Sequence, residues 1–138
     1  FNLQPVLTAI ENVEFPLLVS GVDEKTAREM AMKALETVGL LEFKDHKPAE
    51  LSGGQQQMVT IARSIVNEPA IIWADEPTGN LDTDSAKEIM KLLRKMNREK
   101  NQTYILVTHD PEVARYAERL IQMKNGRIER DKKQTPLC

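Results

Sequence analysis

The 138 residues, 41% of them hydrophobic and 29% charged, are typical of one globular domain and exclude a disordered or fibrous protein. The formal net charge of -2 offers no basic surface for a nucleic acid, so we expect no nucleic-acid partner. No apolar run approaches the roughly 20 residues that span a bilayer, and no signal peptide is visible, so we predict a cytoplasmic protein. The single cysteine, Cys138, has no partner for an internal disulfide and is interpreted as an incidental thiol.

The N-terminal part of the chain is predicted to be helical. Two prolines and a glycine interrupt residues 1–22, so we predict a loop there with one helical turn over residues 8–13, capped by Thr8. From Asp23 onward, apolar residues recur at helical spacing until Gly39. This pattern predicts an amphipathic helix that Asp23 caps and Gly39 ends.

A second amphipathic helix is predicted after the glycine-bearing stretch LSGGQ at residues 51–55. Ser52 can cap it, and the glycines let another molecule approach the backbone at the helix start. Since that start presents unpaired N–H groups and a partial positive charge, it is a potential anion site. A capped helix after a flexible turn explains the same residues. His46, which precedes this stretch, has no second ligand at metal spacing and is interpreted as a surface histidine.

Two short apolar runs predict neighbouring strands of a parallel sheet that is buried on both faces. The run over residues 70–74 ends at Asp75 and Glu76, and the run over residues 104–108 ends at His109. Ligands of open α/β sheets gather outside the carboxyl ends of the strands. We therefore expect these three polar side chains to share one ligand site, although two acids that merely begin a loop are the plainer alternative.

The remaining elements are predicted to be two helices and a β-hairpin. Asp82 or Thr83 begins the helix between the two strands, and a shorter helix follows the second strand as far as residue 117. An Asn-Gly pair at residues 125–126 is the strongest local signal for a hairpin turn. Strands that alternate with helices predict an α/β fold with a parallel sheet.

The chemistry of nucleotide hydrolysis suggests a role for each polar strand end. An aspartate at the end of a strand can hold Mg²⁺, a neighbouring base can orient the attacking water, and further donors can neutralise charge on the γ-phosphate. On this reasoning Asp75 is a candidate metal ligand, Glu76 a candidate base, and His109 a candidate phosphate donor or sensor.

Four stretches in this order resemble motifs of the ABC-transporter ATPases. They are the signature loop, Walker B strand, D-loop and switch histidine, which match LSGGQ at residues 51–55, IIWADEPT at 71–78, NLD at 80–82 and VTHD at 107–110. The resemblance extends to about residue 130, and within the family TGNLD and the hairpin are most similar to the subgroup that powers lipoprotein release and macrolide export. It implies a partial P-loop NTPase (RecA-like) core with parallel strands, plus an α-helical subdomain.

The resemblance also implies ATP and Mg²⁺ as cofactors and a role for each matching residue. Asp75 would support Mg²⁺, Glu76 would be the catalytic base, and His109 would contact the γ-phosphate. In the signature loop and the D-loop, the residues that would bind nucleotide or communicate between two sites are Ser52, Gly53, Gly54, Gln55 and Asp82.

The same resemblance implies partners and a division of the chain. A second ATPase subunit would bind head to tail and complete each site with its signature loop. Transmembrane permease subunits would hold the protein at the inner face of the cell membrane. We predict a helical subdomain over residues 1–66, the C-terminal half of the ATPase core over 67–130, and a flexible tail over 131–138.

Two features depart from the family pattern. Met58 stands where the family usually carries arginine, and the chain contains no G-x-x-x-x-G-K-[ST] loop to cradle phosphates. Since the chain also starts at Phe1 without methionine, we predict the C-terminal portion of an ATPase subunit, inactive alone. One alternative is a non-transport ATPase of the same type that acts on ribosomes or DNA, which the acidic balance disfavours. Another is a non-catalytic docking fragment that uses residues 1–21.

Overall fold

A computed structural model describes residues 2–137 of the chain. The helices of this part are α1 (Ala9–Val19), α2 (Glu24–Thr37), α3 (Gly53–Ile65), α4 (Thr83–Lys100) and α5 (Pro111–Ala114), and the strands are β1 (Ile71–Asp75), β2 (Thr103–Val107), β3 (Arg119–Lys124) and β4 (Arg127–Lys133). Among residues 2–137, none of the helices combines the length and apolar character that a membrane span requires.

Helix α1 is longer than the sequence predicted. Thr8 caps it as expected: its Oγ1 accepts a hydrogen bond from Glu11 N at 3.4 Å, and Glu11 Oε2 accepts one from Thr8 N at 2.7 Å. The helix then continues through Pro16, so the prediction of a single turn over residues 8–13 is wrong. A proline costs the helix one hydrogen bond, but the helix keeps buried apolar residues on both sides of it. These residues are Ile10, Val13 and Leu17.

Helices α1, α2 and α3 pack against one another and enclose most of the apolar core. The predicted ends of α2 are confirmed: Asp23 Oδ1 accepts a hydrogen bond from Thr26 N at 3.0 Å, and Gly39 follows with a φ of +73°. The interpretation of His46 as a surface residue is wrong. Its ring is half-buried because it lies edge-on against Phe43, with the ring centroids 5.3 Å apart.

Strands β1 and β2 are parallel neighbours, which confirms the predicted sheet. Their register runs from Ile71 opposite Thr103 to Asp75 opposite Val107. The prediction that the sheet is buried on both faces is wrong for the described residues, since Ile72 is 7% exposed but Trp73 on the other face is 72% exposed. The face that carries Trp73 is therefore open to solvent at this residue.

The second half of the chain contains α4, α5 and the hairpin. Helix α4 begins after Asp82, as predicted, and buries an apolar stripe. Helix α5 ends at Ala114, three residues before its predicted end, and the chain then continues as a turn. The hairpin turn is confirmed, with positive φ angles of 50° at Asn125 and 74° at Gly126 that fit a type I′ turn.

Strand β4 runs further than the sequence indicated. It pairs with β3 as far as Lys133, three residues into the segment that was predicted to be a tail. Beyond the strand, Gln134 N donates to Glu118 O at 2.9 Å. The division of the chain at residues 66 and 130 stays a prediction.

The side-chain amide of Asn12 holds the segment that precedes α1 through hydrogen bonds. Only 1% of this residue is exposed. Its Nδ2 donates to Gln4 O, Leu7 O and Thr8 O at 3.1, 3.1 and 3.0 Å, and its Oδ1 accepts from Gln4 N at 2.7 Å. The buried amide of Asn12 therefore provides hydrogen-bond partners to backbone groups of three residues that precede α1.

We expect Asn12→Ala to lower the free energy of unfolding by about 2 kcal/mol, because it removes the four hydrogen bonds of a buried side-chain amide. Urea denaturation followed by far-UV circular dichroism measures this loss. Asn67→Ala, at an exposed residue, is the control and should change the free energy by less than about 0.5 kcal/mol. Equal midpoints for the two variants would contradict the role of Asn12.

Candidate functional site

Glu76 follows β1 directly and holds an uncommon backbone conformation. Its φ is +43°, a value that few residues other than glycine adopt. Its N–H donates to Val107 O at 2.8 Å, so the pairing with β2 extends one residue beyond the strand. The turn of the backbone at Glu76 directs its side chain toward the residues that follow β2.

The carboxylate of Glu76 forms hydrogen bonds with the first two residues after β2, Thr108 and His109. Its Oε1 accepts a hydrogen bond from His109 N at 2.8 Å and lies 2.7 Å from His109 Nδ1. Its Oε2 accepts one from Thr108 Oγ1 at 3.1 Å, and that hydroxyl in turn accepts from Asp110 N at 3.0 Å. The parallel register thus brings two of the predicted site residues, Glu76 and His109, into direct contact.

The contact favours the charged forms of both groups. The hydrogen bond from the His109 side chain lowers the pKa of Glu76, and the hydrogen bond and negative charge of Glu76 raise the pKa of His109. Since the histidine pKa is raised, its stabilising contribution is complete below its ordinary value of 6.5 and is lost as the pH rises through the folded-state pKa. The contribution of Glu76 is lost on the acid side, as the pH falls from 4.5 through the lowered pKa.

Asp75 is the last residue of β1, and it is exposed. No three His, Cys, Asp or Glu residues within residues 2–137 come close enough to hold a metal ion by themselves. Mg²⁺ in phosphate sites is commonly bound by one or two carboxylates together with phosphate oxygens and waters. A single exposed carboxylate at the end of a strand therefore fits an ion that arrives with a nucleotide.

Ser52 and Gln55 form a reciprocal cap at the start of α3. Ser52 Oγ accepts a hydrogen bond from Gln55 N at 3.2 Å, and Gln55 Oε1 accepts one from Ser52 N at 2.9 Å. Gly53 and Gly54 form the first turn of the helix, where N–H groups have no acceptor within the helix. The predicted anion site rests on this helix start and stays a prediction.

Asp82 caps α4 close to the start of α3. Its Oδ1 accepts from Asp84 N and Ser85 N, both at 3.0 Å, and its Oδ2 accepts from Ser85 Oγ at 2.6 Å. The side-chain hydrogen bond from Ser85 is the main cause of the lowered pKa of Asp82. A Cβ at Gly54 would lie 3.1 Å from Ser85 Oγ, so the absence of a side chain at Gly54 allows this approach of the two helices.

The structure therefore gathers the predicted residues into two groups, one around Glu76 and His109 and one where α3 meets α4. Sequence reasoning gave no role to three residues that support them: Thr108, Ser85 and Gln57. Gln57 Nε2 donates to Pro77 O at 2.8 Å and links α3 to the loop after β1. Thr108 adjoins His109, and Ser85 lies three residues after a capping aspartate, so a local signal existed for those two.

The amino-acid sequence of the chain matches a known protein family. The ABC transporter family matches residues 1–79. The chain belongs to this family. It is 50% identical over 137 residues to an uncharacterised ABC transporter ATP-binding protein of Methanocaldococcus jannaschii, a match that covers 96% of the chain and 58% of the relative.

Two further relatives support the subgroup that the motifs indicated. The lipoprotein-releasing system ATP-binding protein LolD of Bordetella pertussis is 45% identical over 130 residues, which cover 94% of the chain and 56% of LolD. The macrolide export ATP-binding/permease protein MacB of Syntrophobacter fumaroxidans is 47% identical over 131 residues, which cover 94% of the chain and 18% of MacB. These similarities confirm the resemblance of the chain to the ABC transporter ATP-binding proteins of this subgroup.

A solved structure confirms the fold class. An ATP-binding cassette of M. jannaschii, dimeric in a post-hydrolysis state bound to ADP and phosphate, superimposes with a TM-score of 0.82 at 46% identity. The match covers 99% of the chain and 60% of that protein. The partial P-loop NTPase core with helical parts is therefore correct, and the chain spans less than two thirds of the length of these relatives.

We expect Glu76→Gln to return the raised pKa of His109 toward its ordinary value, since the neutral amide weakens the hydrogen bond with the ring and removes the negative charge beside it. Titration of the His109 ring protons by NMR measures the shift. Glu112→Gln is the control: Glu112 is an exposed carboxylate paired with Arg115, so its removal should leave the His109 titration unchanged. An unaltered His109 titration in Glu76→Gln would show that the pair does not form.

Proposed function

We propose that this chain is part of an ATP-hydrolysing subunit of an ABC transporter in which Glu76 is the catalytic base. One observation carries the proposal: the parallel strands place the carboxylate of Glu76 within hydrogen-bond reach of Thr108 and His109. Family membership supports ATP as the nucleotide. The oriented carboxylate supplies the group that an attacking water needs as its proton acceptor.

Each strand-end residue has a separate role in this proposal. The lowered pKa keeps Glu76 ionised at neutral pH, and its backbone turn and two bonded neighbours fix the direction in which it accepts a proton. His109 keeps a side chain that is 88% exposed, so it can contact a γ-phosphate while it remains beside Glu76. Asp75 would hold Mg²⁺, which when bound offsets negative charge on the phosphate oxygens.

The residues of the signature loop and D-loop serve a second subunit in this proposal. Ser52, Gly53, Gly54 and Gln55 lie at the positive end of α3, and the N–H groups of the two glycines in its first turn suit a phosphate. Asp82 lies beside them through Ser85 and would communicate between two sites. The dimeric state of the similar archaeal cassette supports a second subunit, and we propose that the two subunits bind head to tail.

The proposal also includes partners and organisation. Transmembrane permease subunits would recruit the protein to the inner face of the membrane and use its ATP hydrolysis for transport. LolD and MacB, whose names describe lipoprotein release and macrolide export, are similar to the chain and support this role. Residues 1–66 would form the helical subdomain and residues 67–130 part of the ATPase core.

We expect the 138-residue chain by itself to bind ATP with a Kd weaker than about 1 mM, because it contains no Gly-Lys loop to hold the β- and γ-phosphates. Isothermal titration calorimetry with ATP and Mg²⁺ tests this, with the same titration lacking Mg²⁺ as the control. Micromolar binding would contradict the assignment of the principal phosphate contacts to that loop.

In the whole subunit we expect Glu76→Gln to reduce ATP turnover at least about 100-fold while nucleotide-bound dimers still form, since the amide keeps its shape but cannot accept the proton. Turnover is measured by phosphate release and dimerisation by size-exclusion chromatography with ATP. Glu112→Gln, a carboxylate outside the site, is the control. Unchanged hydrolysis in Glu76→Gln would remove Glu76 from the reaction.

A further inference from the structure

The loop over residues 76–82 joins β1 to α4 and is stabilised by hydrogen-bonded turns within it. Gly79 N donates to Glu76 O and Leu81 N to Thr78 O, each at 3.1 Å. Because these short turns follow one another, the loop is a compact piece of backbone. A displacement at one peptide therefore reaches its neighbours, including Glu76.

Gln57 connects this loop to the signature helix. It lies on α3, five residues after the cap at Ser52, and its Nε2 donates to Pro77 O at 2.8 Å. The bonded carbonyl belongs to the residue that follows Glu76. A second close approach, between Gly54 of α3 and Ser85 of α4, lies three residues beyond the end of the loop.

A hollow of about 410 Å³ lies between α3 and the carboxyl end of β1, and Gln57 and Pro77 are among the residues that line it. Its lining includes Thr60 and Ser64 of α3 and Trp73 and Asp75 of β1. Where side chains do not fill the space between two elements, a direct hydrogen bond carries more of their relative positioning.

We propose that Gln57 is a positioning residue for ATP hydrolysis: its amide holds the Pro77 carbonyl and so sets the place of Glu76 relative to the start of α3. This inference rests on the proposed function, because it assigns Gln57 to the same reaction. Gln57 lies beyond the phosphate-facing first turn and acts through the loop, whereas Ser52 and the glycines face the nucleotide.

The physical consequence is that the start of α3 and Glu76, which would each face a nucleotide, move together. The start of α3 would contact the phosphate of one site, and Glu76 would act in the other. Helix α3 is continuous from Gly53 to Ile65, so a shift of its start on phosphate contact would be passed through Gln57 to Pro77. A displacement of about 1 Å at a reacting group can cost about 100-fold in rate, which makes this link consequential for turnover.

The test uses substitutions of Gln57 in the whole subunit. Gln57→Met and Gln57→Glu both remove the N–H donor, and we expect each to lower kcat about 10-fold while KM for ATP stays within about 2-fold. Gln57→Lys keeps an N–H donor on a longer side chain and should restore most of the activity. A purely structural loss would not be rescued selectively by a donor.

A matched control exists elsewhere in the chain. Gln102 Nε2 also donates to a proline carbonyl, Pro69 O at 3.2 Å, but at the opposite end of β1. Gln102→Glu should therefore lower stability without lowering kcat. If Gln57→Met keeps the wild-type kcat, or loses no more activity than Gln102→Glu at equal stability, the positioning role is overturned.

Hydrogen exchange on the 138-residue chain tests the link without activity. In Gln57→Met we expect faster exchange of the Gly79 and Leu81 amides, and no such change in Gln102→Glu. Unchanged protection of these two amides would overturn the link. Absence of hydrolysis by the wild-type subunit would instead refute the proposed function, and the exchange result would still decide whether Gln57 holds the loop.

Discussion

The parallel pairing of β1 with β2 is the constraint on which the candidate site depends. It extends past Asp75 through the bond between Glu76 N and Val107 O, and only in that register do Thr108 and His109 reach the carboxylate of Glu76. A register shifted by one residue would turn every side chain of a strand to its other face. The apolar contacts that hold β1 in place, such as the burial of Ile72, therefore also determine the chemistry at its end.

Features controlled by neighbouring residues could be predicted from the sequence. Asp23, Ser52 and Asp82 cap helices because their side chains reach N–H groups two or three residues away, and the Asn-Gly pair makes a turn through its own φ angles. The contact of Glu76 with His109 was predictable in outline, since parallel strands end at the same edge of a sheet. Four motifs in order identified the family before any coordinates.

Features that depend on distant parts of the chain could not be predicted in this way. Pro16 signals a break locally, but burial of residues on both sides of it against α2 and α3 keeps α1 intact. The exposure of Trp73 reflects which elements are present to cover it, and no local pattern contains that information. The same holds for Gln57, whose partner lies 20 residues further along the chain and is a backbone carbonyl that no sequence motif marks.

The positive φ of Glu76 explains why its side chain needs several partners. A residue other than glycine in this region carries a conformational cost of order 1 to 3 kcal/mol, which the surrounding structure must offset. Here the backbone bond to Val107, the turn to Gly79 and the contacts of the carboxylate act on the same residue. If one of these contacts is lost, fewer contacts offset the strain, and the carboxylate is free to change direction. Under the role proposed for Glu76, residues that support it without touching a nucleotide should therefore affect turnover more than binding, which is the behaviour expected when orientation rather than affinity limits a reaction.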